Sequence, residues 1–454
     1  MPGYNHHPSS FRDPSGFVFF HEEKYYRQVN KSYAENYDRL MSSGLYTTLT
    51  ERKCLLPHTE LKENISGAED CYVTLLPEQL SFISYPYEWC FEQLKDAALL
   101  TLKIVRTAVA HEMILKDATP LNVQFHNGKP DFIDTLSFEK YDASLPWIAY
   151  RQFCETFLFP LWLSHYHKMN FQQVLNVYPE GIPVEIAAKL LPAKSRLNSG
   201  IWLHLLLQNK IKKQRAGNKT TYSFSKKKLL DLVAHLESII QKLDNSSNTT
   251  WSNYYSECIE HPGYLDEKKK IVSQLLAQVQ GTKLIDLGAN DGEFSFLAAE
   301  KGFTVIATDS DEQCINNLYK KVRGAGINNL IPLCIDITNP SAATGFANKE
   351  RTSINERSKG DVVMALALVH HLAIGKNIPL PMLSAYFNEL APQLIVEFVS
   401  KEDEKTQLLL QHKKDIFPTY TKESFENFFQ QSFTIVSMNR VGSTDRFIYL
   451  MNKK

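Results

Sequence analysis

At 454 residues the chain has room for two or more domains, and its 43% hydrophobic and 22% charged content is that of an ordinary soluble globular protein. Its 50 basic and 50 acidic side chains cancel, so no global field draws it to nucleic acid or to a membrane surface. Seven cysteines lie scattered with no C-x-x-C pair, which argues against a zinc site or disulfide framework and for a reducing, cytoplasmic setting.

The first 14 residues are polar and lack the apolar core of a signal peptide. The most apolar short run, 157–163, is too short to span a bilayer and reads as a buried helix. Residues 16–29, GFVFFHEEKYYRQV, read as a hairpin turning at 21–24. Residues 30–56 read as a helix, with Tyr33, Tyr37, Leu40 and Met41 at helical spacing and Gly44 as an interruption. A loop at 60–70 and strands at 71–76 and 79–85 follow. Residues 92–110 form an amphipathic helix with Leu94, Ala97, Ala98, Thr101, Leu102, Val105 and Val109 on one face.

Next comes MILKDATPLNVQFHNGKPDFIDTLSFE, residues 113–139. Asp117 and Asn122 are five apart, Asn127-Gly128 makes a hairpin turn, and Asp134 follows the second strand. This order resembles the catalytic loop and metal-binding strand of the protein-kinase and aminoglycoside-kinase superfamily. The resemblance implies Asp117 as the base, Asn122 and Asp134 as holders of Mg²⁺, and an ATP site in this module. The sequence departs from that pattern. No G-x-G-x-x-G loop precedes the hairpin and no V-A-I-K lysine is visible; Arg27 could stand in, although arginine for that lysine is not a neutral swap. The plainer alternative is an unrelated α+β domain with a surface Asp–Asn turn. Helical periods follow at 148–165, 170–177, 183–191, 201–207 and 226–243. The acid-free stretch 210–228 reads as a solvated loop, with phosphate binding as its alternative.

Residues 244–250 form a polar linker. In 249–257, TTWSNYYSE, the aromatics Trp251, Tyr254 and Tyr255 either cap a core or fold over a ligand. After a helix at 266–279 comes KLIDLGANDGEFSF, residues 283–296: a buried strand, a glycine turn and a helix start. Gly288 and Gly292 allow φ > 0 and keep Cβ atoms away from a ligand. Their spacing is not G-x-G-x-x-G, and Asp286 suits a cationic ligand better than a pyrophosphate. The segment resembles motif I of class I S-adenosylmethionine methyltransferases. Strands at 304–308 and 331–334 end at Asp309 and Asp336. Asp309 stands about twenty residues past the turn, at ribose distance. In the family an acid at the place of Asp336 meets the adenine. A dinucleotide oxidoreductase is the alternative.

A polar loop spans 339–359. A strand at 361–366 runs out into ALVHHLAIG, so His370 and His371 stand where an acceptor approaches, and a neutral imidazole there can take a hydroxyl proton. Glu397 lies in the strand 394–400, and Lys401, Glu402 and Asp403 cluster after it, Asp403 reading as a helix N-cap. Helices at 381–390, 405–412 and 422–430 and a closing hairpin at 433–440 and 446–451 complete seven strands.

Over nearly its whole length the chain is similar to the NoeA-like methyltransferases. RDPSGFVF, YRQVN-x-SYAENYDRLMSSGLY, ILKDATPLNVQF, TTWSNYY, DLGANDGEFS, HHLAIG-x-N-x-P, EFVSKED and DIFPTYT carry the likeness. It implies a bacterial class I methyltransferase that uses S-adenosyl-L-methionine. The expected fold is α/β: a seven-stranded Rossmann-like domain at 246–454, preceded by an α+β, helix-rich, kinase-like module at 1–245. Asp286, Gly288, Asn290, Gly292, Asp309, Asp336 and Tyr254 are the expected cofactor residues. His370, His371, Glu397 and Lys401 are the acceptor-side candidates, with no metal in that domain. The expected acceptor is a small molecule or glycan-type hydroxyl or amine. The alternatives are a bifunctional protein with an ATP-binding first module, an RNA methyltransferase, or a non-catalytic SAM-sensing scaffold.

Overall fold

The hairpin of residues 16–29 opens a five-stranded antiparallel sheet, seen in a computed structural model that describes residues 5–206, 225–246, 263–411 and 414–454. Its strands are β1 (Asn5–His6), β2 (Gly16–His21), β3 (Lys24–Asn30), β4 (His58–Leu61) and β5 (Cys71–Pro77), in the order β1-β2-β3-β5-β4. The β2–β3 turn closes on Glu22 and Glu23, both at positive φ. Gly44, at φ 76°, divides the expected 30–56 helix into α1 (Ala34–Ser42) and α2 (Leu45–Glu51). Two expectations fail here. Residues 79–85 form no strand, and the sheet edge is instead β4, whose last two residues fall in the expected 60–70 loop because HTEL carries no apolar alternation.

The long helix α3 (Phe91–Ala110) is buried along the predicted face. Its capping box uses Cys90 and Gln93. Short strands β6 (Met113–Leu115), β7 (Val123–His126), β8 (Lys129–Phe132) and β9 (Phe138–Lys140) follow, with Asn127 and Gly128 at positive φ in the β7–β8 turn. Helical segments then run to α4 (Lys226–Gln241). The predicted basic loop falls largely on residues 207–224, and the aromatic segment with Tyr254 on 247–262, both outside the described residues.

The chain divides into two units: Met1–Ser246 with Ala343–Thr352, and Ser247–Ala342 with Ser353–Lys454. The middle of the predicted 339–359 loop thus counts with the first unit. There Arg12 donates to Glu350 at 2.7 Å, and Thr344 bridges Arg351.

The second unit starts with α5 (Tyr264–Leu276) and alternates strands with helices: β10 (Lys283–Leu287), α6 (Glu293–Glu300), β11 (Thr304–Asp309), α7 (Glu312–Ala325), β12 (Leu330–Cys334), β13 (Val362–Ala365), α8 (Leu380–Leu390), β14 (Gln393–Val399), α9 (Glu404–Leu410), α10 (Lys422–Ser432), β15 (Phe433–Arg440) and β16 (Arg446–Lys453). The sheet order is β12-β11-β10-β13-β14-β16-β15, parallel except at β16 and β15. The apolar runs of β10, β11, β13 and β14 are buried, as parallel strands covered on both faces require. No helix of the described residues is long and apolar enough to cross a membrane.

Candidate functional site

Every parallel strand of the second unit delivers its C-terminal end to one rim, where open α/β sheets bind ligands. Asp286 is level with Ala307 of β11, two residues before Asp309. Asp309 is level with Cys334 of β12, two residues before Asp336. The three predicted acids therefore step outward along the ends of three adjacent strands.

The turn between β10 and α6 is held from its own backbone. The amides of Gly288 and Ala289 both donate to the Thr308 carbonyl at 2.9 Å. Gly288, Asn290 and Gly292 all have positive φ. The Asn290 amide donates to Asp309 Oδ2 at 2.8 Å, and the Asp311 amide to Oδ1 at 2.9 Å. Asp309 is thus aimed at the glycine turn by backbone donors. Burial nevertheless lifts its pKa above the usual carboxylate range, against those hydrogen bonds. Asp336 accepts from the Thr338 amide at 2.9 Å and hydroxyl at 2.7 Å.

At Gly292, φ is 92° and an added Cβ would lie 2.3 Å from the buried Leu318 Cδ1. Gly292→Ala is expected to cost about 2–3 kcal/mol, part backbone strain and part overpacking. A urea midpoint equal to wild type would show that the turn relaxes freely.

Asp286 is 3% exposed and accepts one hydrogen bond, from Ser295 Oγ at 2.5 Å. Burial, with Asp309 adding to it, pushes its pKa up to about 7. Below the rim lies a buried ion pair. Lys268 of α5 reaches Glu397 of β14 at 2.6 Å, their side chains 2% and 0% exposed. Glu397 Oε2 also accepts from the Ala367 amide at 2.8 Å, in the turn after β13 where Ala367 has φ 50°. Arg446 lies 3.9 Å from Glu397 and makes a two-pronged pair with Asp403 at 2.7 and 3.0 Å. Asp403 also caps α9 through the Lys405 amide, as predicted.

The acceptor-side candidates are treated unevenly. The rings of His370 and His371 are 4.1 Å apart. His370 is wholly buried, and neither ring nitrogen finds a partner among the described residues. Burial holds its pKa well below the usual histidine value, and His371, half-buried, is lowered to about 4. Both rings are neutral at pH 7. Glu397 has another occupation: its carboxylate serves α5, the Ala367 turn and β16, with no exposed surface of its own. Lys401 stands apart, paired with Asp415 at 2.9 Å.

In the first unit the kinase-like trio does gather. Asn122 donates to Ser137 at 3.0 Å, Ser137 donates to Asp134, and Gln152 donates to Asp117 at 3.4 Å. Burial and the neighbouring Asp134 raise the Asp117 pKa. Two carboxylates and an amide are a fair donor set for Mg²⁺. Asp134, however, is already occupied: Arg27 pairs with it and the Leu136 amide donates to it. Burial pushes the Asp134 pKa up, but Arg27 and these hydrogen bonds outweigh it, and the carboxyl ends below its usual range. In this arrangement a metal at Asp134 would have to displace or share the Arg27 guanidinium. Among the described residues no group of three or more His, Cys, Asp or Glu could hold a metal ion. Mg²⁺–ATP is expected to leave the unfolding temperature unchanged, while Arg27→Met should cost about 2–3 kcal/mol at neutral pH. A nucleotide-induced shift that disappears in Asp134→Asn would restore the metal site.

Comparison with known proteins now bears on the chain as a whole. It is 30% identical over 456 residues to Nodulation protein NoeA of Rhizobium meliloti (strain 1021), covering 98% of this chain and 95% of that protein. The chain belongs to the NoeA family. No protein-family model matches it. Solved structures similar to part of this NoeA-family chain include the N-methyltransferase NodS of Bradyrhizobium japonicum WM9, at 10% identity and TM-score 0.33, covering 43% of this chain and 99% of that one. Magnesium protoporphyrin IX methyltransferase (ChlM) of Synechocystis PCC 6803, with bound SAM, is 17% identical at TM-score 0.31, covering 46% and 86%. No residue role passes from either to this chain.

Sequence reading missed two side chains below this rim, Lys268 and Arg446. For Lys268 a signal existed. In YLDEKKKIVSQLL it shares the buried helix face with Ile271, Val272 and Leu275, which marks it out from Lys269 and Lys270.

Proposed function

We propose that the second unit is a class I methyltransferase that uses S-adenosyl-L-methionine, acting on a small-molecule or glycan-type hydroxyl or amine. One observation carries the reading: three acids stand at the ends of three adjacent strands beside a glycine turn whose own amides are already bonded within the unit. A pyrophosphate would be repelled by them, whereas a ligand with an ammonium, a ribose and an amine-bearing base would not. In this reading Asp286, Gly288, Asn290 and Gly292 hold the methionine end, Asp309 the ribose hydroxyls, and Asp336 the adenine edge. When bound, the cofactor supplies a methyl group activated on a sulfonium. The protein's own work is to align the acceptor with it and keep water away.

His371 is the more accessible of the two imidazoles, and its lowered pKa bears on its task. An imidazole with a pKa near 4 is a poor general base at pH 7. It serves instead as a neutral hydrogen-bond partner that orients the acceptor, with His370 packed behind it. Glu397 and Lys268 hold the turn that carries both. The first unit enters this reading as a non-phosphorylating module, given the Arg27–Asp134 pair.

The test is calorimetric titration of the full chain with S-adenosyl-L-methionine and with S-adenosylhomocysteine. Saturable binding of both is expected, and binding of neither overturns the reading. Transfer of a labelled methyl group into pooled bacterial oligosaccharides or small amines would then identify the acceptor class.

A further inference from the structure

Among the described residues, no uncommitted cation balances the charge of the crevice acid Asp286. Its carboxylate is enclosed at the end of β10, and among the described residues its one hydrogen bond comes from the neutral Ser295 of α6. The facing group on β11 is a second acid, Asp309. The one cation acting on it from α5 is Lys268, and that ammonium is committed to Glu397 at 2.6 Å. A carboxylate so placed, without a counter-charge, is costly to keep ionised.

We propose that Asp286 holds a proton while the crevice is empty and surrenders it to solvent when the ammonium of a ligand arrives. The exchange balances: the neutral carboxyl and the ligand ammonium become a carboxylate–ammonium pair, and one H⁺ passes to buffer. The pKa of about 7 in the empty chain puts the exchange within the physiological range. The proposal rests on the cofactor reading above and adds to it a dependence of affinity on pH.

The sign follows from linkage. Below the empty-state pKa, binding must displace the proton, so affinity rises with pH. It should rise about tenfold per unit between about pH 5 and 7, and flatten above, where Asp286 is already ionised. Asp309, also raised, is the competing source of a proton. It sits at the ribose position, which allows the two to be separated.

The experiment is calorimetry of the full chain at about pH 6 in several buffers of different ionisation enthalpy, in which the slope of observed heat against that enthalpy counts protons. S-adenosylhomocysteine is expected to release about one proton. 5′-Methylthioadenosine keeps the ribose and base but lacks the amino-acid end, and should release almost none. Asp286→Asn should bind more weakly and lose the release. Binding of S-adenosylhomocysteine with no proton released overturns this proposal alone. Equal release by 5′-methylthioadenosine transfers the proton to Asp309 and also overturns it. If neither nucleoside binds, the cofactor reading falls and takes this inference with it.

Discussion

Glu397→Ala is expected to destabilise the second unit by about 3–5 kcal/mol, the cost of stranding a buried charge. Lys268 would keep its ammonium in a space only 2% exposed, with the Phe294 ring 5.1 Å away and the more distant Asp286 carboxyl as favourable neighbours that do not replace the lost ion pair. The Ala367 amide would lose its acceptor as well. For a unit of this size the loss corresponds to roughly ten degrees or more in unfolding temperature. The rescue is specific. In Lys268→Met with Glu397→Gln, an oxygen remains for Ala367 and the orphaned charge is gone, so stability should return to within about 1 kcal/mol of wild type. A group that acts only on an acceptor would behave otherwise. Its removal would leave the melting curve in place and change turnover alone, and that result would return Glu397 to the chemistry.

Asp309→Ala should weaken S-adenosyl-L-methionine binding by roughly 10²- to 10⁴-fold. Two hydroxyl donors to a charged acceptor contribute about 1.5–3 kcal/mol each. The carboxylate also fixes the Asn290 and Asp311 amides, so the alanine variant disturbs the turn as well as the contact. Asp309→Asn separates these effects, since it keeps one oxygen for the backbone and loses the charge, and an intermediate affinity is expected. Calorimetry on the three proteins decides the matter: equal affinity for wild type and alanine variant would remove Asp309 from the ribose.

The second unit was far more legible in the sequence than the first. Its strands are unbroken apolar runs, and an acid directly after such a run has few places to be except the rim. Asp286, Asp309 and Asp336 were therefore readable as a set. The edge strand β4 was not, since an exposed HTEL resembles any polar loop until its partner is known. The aromatic stretch before Pro86 misled in the opposite direction, having strand composition without a strand to pair with. Charge pairing was the least readable feature. Arg27 and Asp134 are 107 residues apart, and Lys268 and Glu397 more than a hundred, and no local pattern announces such meetings. The two histidines follow β13 in the chain as their positions implied, but His370 is wholly buried and the proton affinity of both is set by enclosure, which a sequence does not display.

The sheet order has a consequence for how the rim above it can change. After β10 the chain goes over to β11 on one side, and after β13 to β14 on the other, although β10 and β13 are neighbours. The gap between those departing connections is made by the routing of the backbone, so it persists whatever residues border it. Replacing bordering side chains would change what this switch point admits and leave its place in the fold unchanged. A redesign aimed at a different guest could therefore confine itself to the turns after these strands and leave the apolar layers beneath untouched.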